Sequence, residues 1–232
     1  MENLRESLDL SLFWEYRAVV LGGLGFNLAV FLCAGAAAIV LGLTACLCRL
    51  SRRRWLARLA GGYTETCRSA PEYVLLIWVH YVPPLLLTVA TGIKISFSPF
   101  GSAVIALGLA YSGYLAETFR AGILAVPRGH VDAAAALGMT PRLRLRRIVL
   151  PQALRHMLPE AMNQAISLFK ATTLVSLIAV PDLMYRVSMI ASQEMRPLPL
   201  YTGAALVYCA LIFTFSSAVR LLSERWRRRH LA

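Results

Sequence analysis

The chain has 232 residues, 58% of them hydrophobic, and carries 24 Lys+Arg against 12 Asp+Glu, a formal net charge of +12. Several uncharged runs reach the roughly 20 residues that cross a bilayer, which excludes an ordinary soluble domain. The arginines sit beside these apolar runs, the pattern of a membrane protein and not of a nucleic-acid binder.

Residues 1–17 mix Glu2, Arg5, Glu6, Asp9, Glu15 and Arg17, so they lack the clean basic start of a signal peptide. Leu4, Leu8, Leu12 and Trp14 are spaced for a short amphipathic helix on the membrane surface; an unstructured tip fits them nearly as well. The first span is expected over 19–48, longer than the hydrocarbon core requires, so that it tilts or projects into water. Ala34, Ala38 and Gly42 give it a small-residue face for close helix contact. A basic loop follows, with Arg49, Arg52, Arg53, Arg54, Arg58 and Arg68.

A second span is expected over 73–92. Its Pro83-Pro84 pair removes two backbone donors and predicts a break or kink, or else marks the outer end of the span. In lipid a break survives only where protein or a wet cavity satisfies the freed carbonyls, so a broken span would line a path. The third span, 97–116, carries Gly108 and Ser112 for close packing and is expected to end at Glu117 and Arg120. The loop 120–158 holds seven arginines, the fourth span covers 162–181 and includes Lys170, residues 182–200 read as a loop of mixed charge, and the fifth span is 201–222, before a basic tail at 225–232. The segments 49–68, 120–155 and 220–229 together hold 18 of the 24 basic residues. The positive-inside rule puts these in the cytoplasm, with the N-terminus outside; an odd number of spans satisfies that, and five are counted.

Within the 120–158 loop the signals are local and sharp. Asp132-Ala133-Ala134-Ala135-Ala136-Leu137-Gly138 reads as a short helix stopped by a glycine at positive φ. Thr140 then reads as an N-cap and Pro141 as the first residue of a new helix. Helix, tight turn, helix is a hard protrusion on which something outside the membrane can push.

Enzyme chemistry finds little support. There is no phosphate-binding glycine-rich loop ending in lysine, since Lys94 and Lys170 are the two lysines. His80, His130, His156 and His230 are scattered, with no metal-ligand spacing, and the five cysteines read as small apolar packing. Ser167-x-x-Lys170 matches a serine-acylase fragment but has no companion motif. Lys170, a costly charge within a span, is expected to snorkel or to pair, with Glu117 or with a partner subunit, in preference to meeting a substrate carboxylate.

The loop has the spacing E-A-A-x3-G-x9-I-x-L-P, with Asp132 in the acidic place and Ile148, Leu150 and Pro151 closing it. It resembles the signature of binding-protein-dependent ATP-binding-cassette import permeases. Tyr63-x-Glu65-x-x-Arg68-x-x-Pro71, Ala116-Glu117-x-x-Arg120-x-Gly122, Leu150-Pro151-Gln152-Ala153-Leu154-Arg155, Asn163 and Lys170-x-Thr172-x-Leu174 are similar to the polar amino-acid branch. The resemblance runs from about Gly22 to Glu224. It implies an all-α integral membrane protein of five transmembrane helices plus a short cytoplasmic coupling helix at about 130–138, a transmembrane domain at 19–224. It implies a permease subunit, not an enzyme, for a polar amino acid or a relative such as an opine or ectoine-type solute. Asp132, Ala133, Ala134, Leu137, Gly138, Ile148, Leu150 and Pro151 are then the ATPase-coupling residues, with Asp132 near the positive helix start. Glu117, Arg120, Asn163, Lys170, Thr172 and Thr173 are the candidates for a pathway or interface. The implied partners are a cytoplasmic ATPase dimer, which binds the ATP, a second permease subunit and an extracytoplasmic solute-binding protein, in the bacterial inner membrane. This chain itself is expected to hold no cofactor or metal. Departures from the family pattern, Asp132 for Glu, Ala70 for Thr, Glu72-Tyr73 for apolar residues and Ala171 for an acid, bear on substrate identity.

Overall fold

The computed structural model describes residues 11–229, and among them there is helix and no strand. The helices are α1 Ser11–Glu15, α2 Arg17–Leu21, α3 Leu24–Arg49, α4 Arg54–Ser69, α5 Glu72–Thr91, α6 Pro99–Leu124, α7 Arg128–Ala136, α8 Pro141–Arg144, α9 Leu150–Ala171, α10 Leu183–Glu194 and α11 Pro197–Arg229. Four stretches are long and apolar enough to cross a membrane singly: Arg17–Arg49, Glu72–Thr91, Pro99–Leu124 and Pro197–Leu221. Pro141–Ile178 with Leu183–Glu194, a pair bent at a short break, makes the fifth. Residues 1–10, with the Leu4 and Leu8 of the expected surface helix, and 230–232 lie outside the described residues.

The contacts divide the chain into two compact units. The first holds the described residues up to Gly35, with Pro71–Gly108 and Ile166–Ser217. Its apolar core is Val20, Leu183, Val187 and Leu200, all fully buried, with Ile190, Ala191 and Ala204 around them. The first span, expected over 19–48, is Arg17–Arg49, and within it the helix breaks locally at Gly22-Gly23 between α2 and α3. The cause is a backbone contact. A Cβ on Gly23 would lie 2.6 Å from Leu183 Cα and closer still to the Asp182–Leu183 peptide, so two main chains meet where no side chain fits. Gly23→Ala should therefore destabilise this unit by about 3 kcal/mol, because backbone cannot move aside as a flexible side chain can. A thermal melt of the purified protein checks this; an unchanged midpoint would mean the contact is loose.

Four expectations for this unit are corrected. α5 runs unbroken through Pro83 and Pro84, so the proline pair does not end the span; it stops at Gly92, φ 70°. The fourth span is not one helix over 162–181. It tightens into a 3₁₀ stretch at Thr172–Ile178 and is stopped by Ala179 at φ 61°. Residues 182–200 are not a loop: Asp182 caps α10 by accepting the Tyr185 N–H at 2.8 Å, and α10 ends at Met195, φ 53°. The fifth span begins at Pro197, four residues before the expected start. Tyr16, between α1 and α2, donates its hydroxyl to Glu194 Oε1 at 2.7 Å, a bond that raises the phenol's pKa.

The second unit holds Ala36–Ala70, Leu109–Ala165 and the chain from Ala218. The expected basic loop 49–68 is largely the helix α4. Its inner face, Ala60, Thr64 and Cys67, is buried at helical spacing, and the arginines occupy the other face. α6 continues to Leu124, so Glu117 and Arg120 lie within a helix and do not end the third span. Close packing follows from small residues, as the sequence suggests. Ala38 and Ser112 are fully buried, and a Cβ on Gly42 would come 3.1 Å from Leu115 Cβ. On Gly113 it would come 2.9 Å from Cys67 Cβ.

Candidate functional site

Almost all of the 120–158 segment is helical, and α7 is its protruding piece. Pro127 fixes the entry, and the helix covers Arg128–Ala136, two residues ahead of the expected 130–138. Asp132 is thus the fifth residue of α7 and lies outside its first turn, so the helix-start field assigned to it from the sequence falls instead on Arg128 to His130. The exit is as the sequence requires. Gly138 adopts φ 75°. Its N–H donates to Ala135 O at 2.9 Å and the Met139 N–H to Ala134 O at 3.1 Å, the paired bonds that close a helix on a left-handed residue. Thr140 Oγ1 then accepts the Leu143 N–H at 3.4 Å, and Pro141 opens α8. α8 passes through a wider π turn, Leu145–Val149, into α9. Pro151 gives the reason: it has no N–H for the carbonyl of Arg147 and its ring would crowd that carbonyl, and a widened turn makes room.

One face of α7 is anchored. Ala134 is buried, and Val131 packs on a small core of Val126, Ala153 and Met157 together with Phe119, Ile123 and Val149. His130 Nδ1 is 2.9 Å from Gln152 Oε1. Gly122 lets α6 and α9 close up, since a Cβ there would lie 2.8 Å from Met157 Cβ. The other face is open. Asp132, Ala133, Ala135, Ala136 and Gly138 are exposed, and Leu137 is 82% exposed. A leucine so bare beside three small residues is a surface shaped for contact. Ile148 is half-buried, and Leu150 and Pro151 are exposed.

The other candidate residues separate into three places. Glu117 is clamped by Arg49, whose Nη1 is 2.7 Å from Oε2, and by Arg120, through Nε at 3.0 Å and a second contact from Nη2. Arg49 also reaches Thr64 Oγ1 at 3.1 Å. Glu117 is therefore not the partner of Lys170, as the sequence suggested: two guanidiniums already hold it. Asn163 is exposed and bonds Glu160 at 3.4 Å. Lys170 is exposed and, with Thr173, lines a cavity of about 580 Å³ beside Tyr201 and Tyr208. Thr172 is fully buried and belongs to a polar knot that the sequence did not reveal. There Asn27 Nδ2 reaches Asp182 Oδ2 at 3.0 Å and Thr172 O at 3.2 Å, and Asn27 Oδ1 accepts the Leu183 N–H at 3.3 Å. Among the described residues no cluster of His, Cys, Asp or Glu is placed to hold a metal.

Residues 37–228 match the family of inner-membrane components of binding-protein-dependent transport systems. The chain belongs to this family. The permease is 33% identical to the histidine/lysine/arginine/ornithine transport system permease protein HisQ of Salmonella typhimurium, over 92% of this chain and 95% of that one. It is 30% identical to the nopaline transport system permease protein NocM of Agrobacterium fabrum, over 97% and 94%. Its fold superposes with a TM-score of 0.84 on a solved amino acid ABC transporter with histidines, at 29% identity, covering 94% of this chain and 98% of that one. The permease is an all-α, multi-pass inner-membrane component of a transporter, not an enzyme.

Proposed function

We propose that this permease carries a polar amino acid, or a close relative such as an opine, into the cell as the membrane subunit of an ATP-binding-cassette importer. A cytoplasmic ATPase dimer binds the ATP; this chain binds no cofactor. A second permease, identical or similar, completes the pathway, and an extracytoplasmic binding protein delivers solute. The N-terminus is outside and the C-terminus in the cytoplasm, in keeping with the side on which most arginines fall.

The observation that carries the reading is α7: a capped helix with one face packed and the other bare. Asp132, Ala133, Ala134, Leu137 and Gly138 form the docking piece, and Ile148, Leu150 and Pro151 begin the helix that receives its motion. Little bulk on the open face lets a partner groove approach the helix closely. Closure of the ATPase pulls α7, and the Val126–Ala153–Met157 core passes the pull to α6 and α9. Glu117 and Arg120 brace α6, while Asn163, Lys170, Thr172 and Thr173 are the proposed pathway or interface residues. Reconstitution with the ATPase and a loaded binding protein tests the function. The expected result is uptake of labelled histidine, arginine or another polar amino acid that stops without ATP. Uptake that continues without ATP would make this a secondary transporter. ATPase activity indifferent to loaded binding protein would make it a scaffold.

A further inference from the structure

We propose that the cleft between α3 and α4 binds an anionic phospholipid, with an acyl chain between the helices and its headgroup held by the arginines of the turn that joins them. The cleft encloses about 370 Å³. Leu41, Ala45 and Cys48 line one wall, and Leu56, Leu59 and Tyr63 the other. Its hydroxyls are already used. Thr44 Oγ1 donates to Val40 O of its own helix at 2.8 Å, and the Tyr63 hydroxyl is 2.5 Å from Ser112 Oγ. Both hydroxyls are thus engaged within the protein and the rest of the lining is apolar, so the cleft suits hydrocarbon.

Its mouth is the opposite. Arg52 and Arg53, in the turn between the two helices, and Arg54, the first residue of α4, are exposed at that end, and no Asp or Glu occurs between Ala45 and Thr64. Among the described residues both ion pairs belong to Glu117, and neither uses these three arginines. Trp55 stands among them, 59% exposed, an amphipathic ring of the kind that settles at headgroup level. An apolar slot opening onto three uncompensated guanidiniums is complementary to one class of molecule, an acyl chain carrying a negative headgroup. A helix of a second permease would fill the slot but leave that charge unanswered.

The test uses the assembled permease–ATPase complex in lipid nanodiscs. Phosphatidylglycerol or phosphatidylcholine, each with a photoactivatable group in its acyl chain, is the probe. Phosphatidylglycerol should label the cleft residues at least about tenfold more than phosphatidylcholine, and R53Q alone should lower that labelling about five-fold. The combined R52Q/R53Q/R54Q variant should bring the two probes level, and A45W, which fills the slot, should abolish labelling by both. Equal labelling of the unmodified complex by the two probes, or none in the cleft, overturns the proposal. So does a disulfide between Leu59→Cys and a second permease copy, because the slot would then be a protein interface. None of these readouts depends on which solute is transported.

Discussion

Gly138→Val should strip the ATPase from the purified permease while leaving the permease in the membrane. Gly138 holds φ 75°, and nothing lies within 4 Å of where its Cβ would be. The penalty is thus one of backbone conformation, with no steric clash. A side chain held in the left-handed region costs about 2 kcal/mol, and a β-branched one sits at the upper end of the range. That strain acts on a nine-residue helix whose last turn is closed by the bonds from Gly138 and Met139. Two kcal/mol lowers the population of the correctly ended helix about 30-fold. Gly138→Asn is the control, because asparagine tolerates this region far better; it should retain most of the ATPase. Co-purification of the subunits measures both. Equal retention by the valine and asparagine variants would show that the shape of this turn is irrelevant to docking.

Asn27→Leu should lower the stability of the first unit sharply. The amide of Asn27 is fully buried and serves four groups at once: the carboxylate of Asp182, the carbonyl and hydroxyl of Thr172 and the N–H of Leu183. It ties α3 to the 3₁₀ stretch and to the start of α10, elements far apart in sequence. Leucine has the same branched skeleton and returns about 2 kcal/mol through buried surface. Against this, loss of the charge-assisted bond to Asp182 and of the acceptor for the buried Leu183 N–H costs about 4 kcal/mol together. The net loss is about 2 kcal/mol. Asn27→Leu combined with Asp182→Leu removes both ends of the Asn27–Asp182 bond, so its loss should fall well short of the sum of the two single changes. Thermal unfolding of the four proteins supplies the cycle; additive losses would mean that the two side chains do not interact.

What could be read in advance was whatever local chemistry decides. Gly138, Thr140 and Pro141 each impose a conformation through their own side chain or lack of one, and the structure places them as a left-handed stop, an N-cap and a first helical residue. The start of α7 was misplaced by two residues because Pro127, which fixes it, carries no capping oxygen to announce it. α4 was read as a loop since its arginines dominate the hydropathy; the recurrence of Leu56, Ala60, Tyr63 and Cys67 was the signal that could have found it. Long-range pairings stayed hidden. Asp182 looks like a solvated loop acid until Asn27, 155 residues earlier, is found against it. Arg49 likewise looks like one more flanking cation until it meets Glu117, 68 residues on. The Gly22-Gly23 break is of the same kind, since only the opposing backbone of α10 explains it.

On the proposed function, force made by the ATPase enters this chain through the open face of α7. A photo-crosslinking amino acid placed at Leu137, in cells producing the whole importer, tests it most directly. The account predicts a covalent adduct with the ATPase subunit that changes in yield when ATP is trapped, and no adduct with the binding protein. An intact importer that gives no ATPase adduct from this position, or gives one with the extracytoplasmic binding protein, would contradict it.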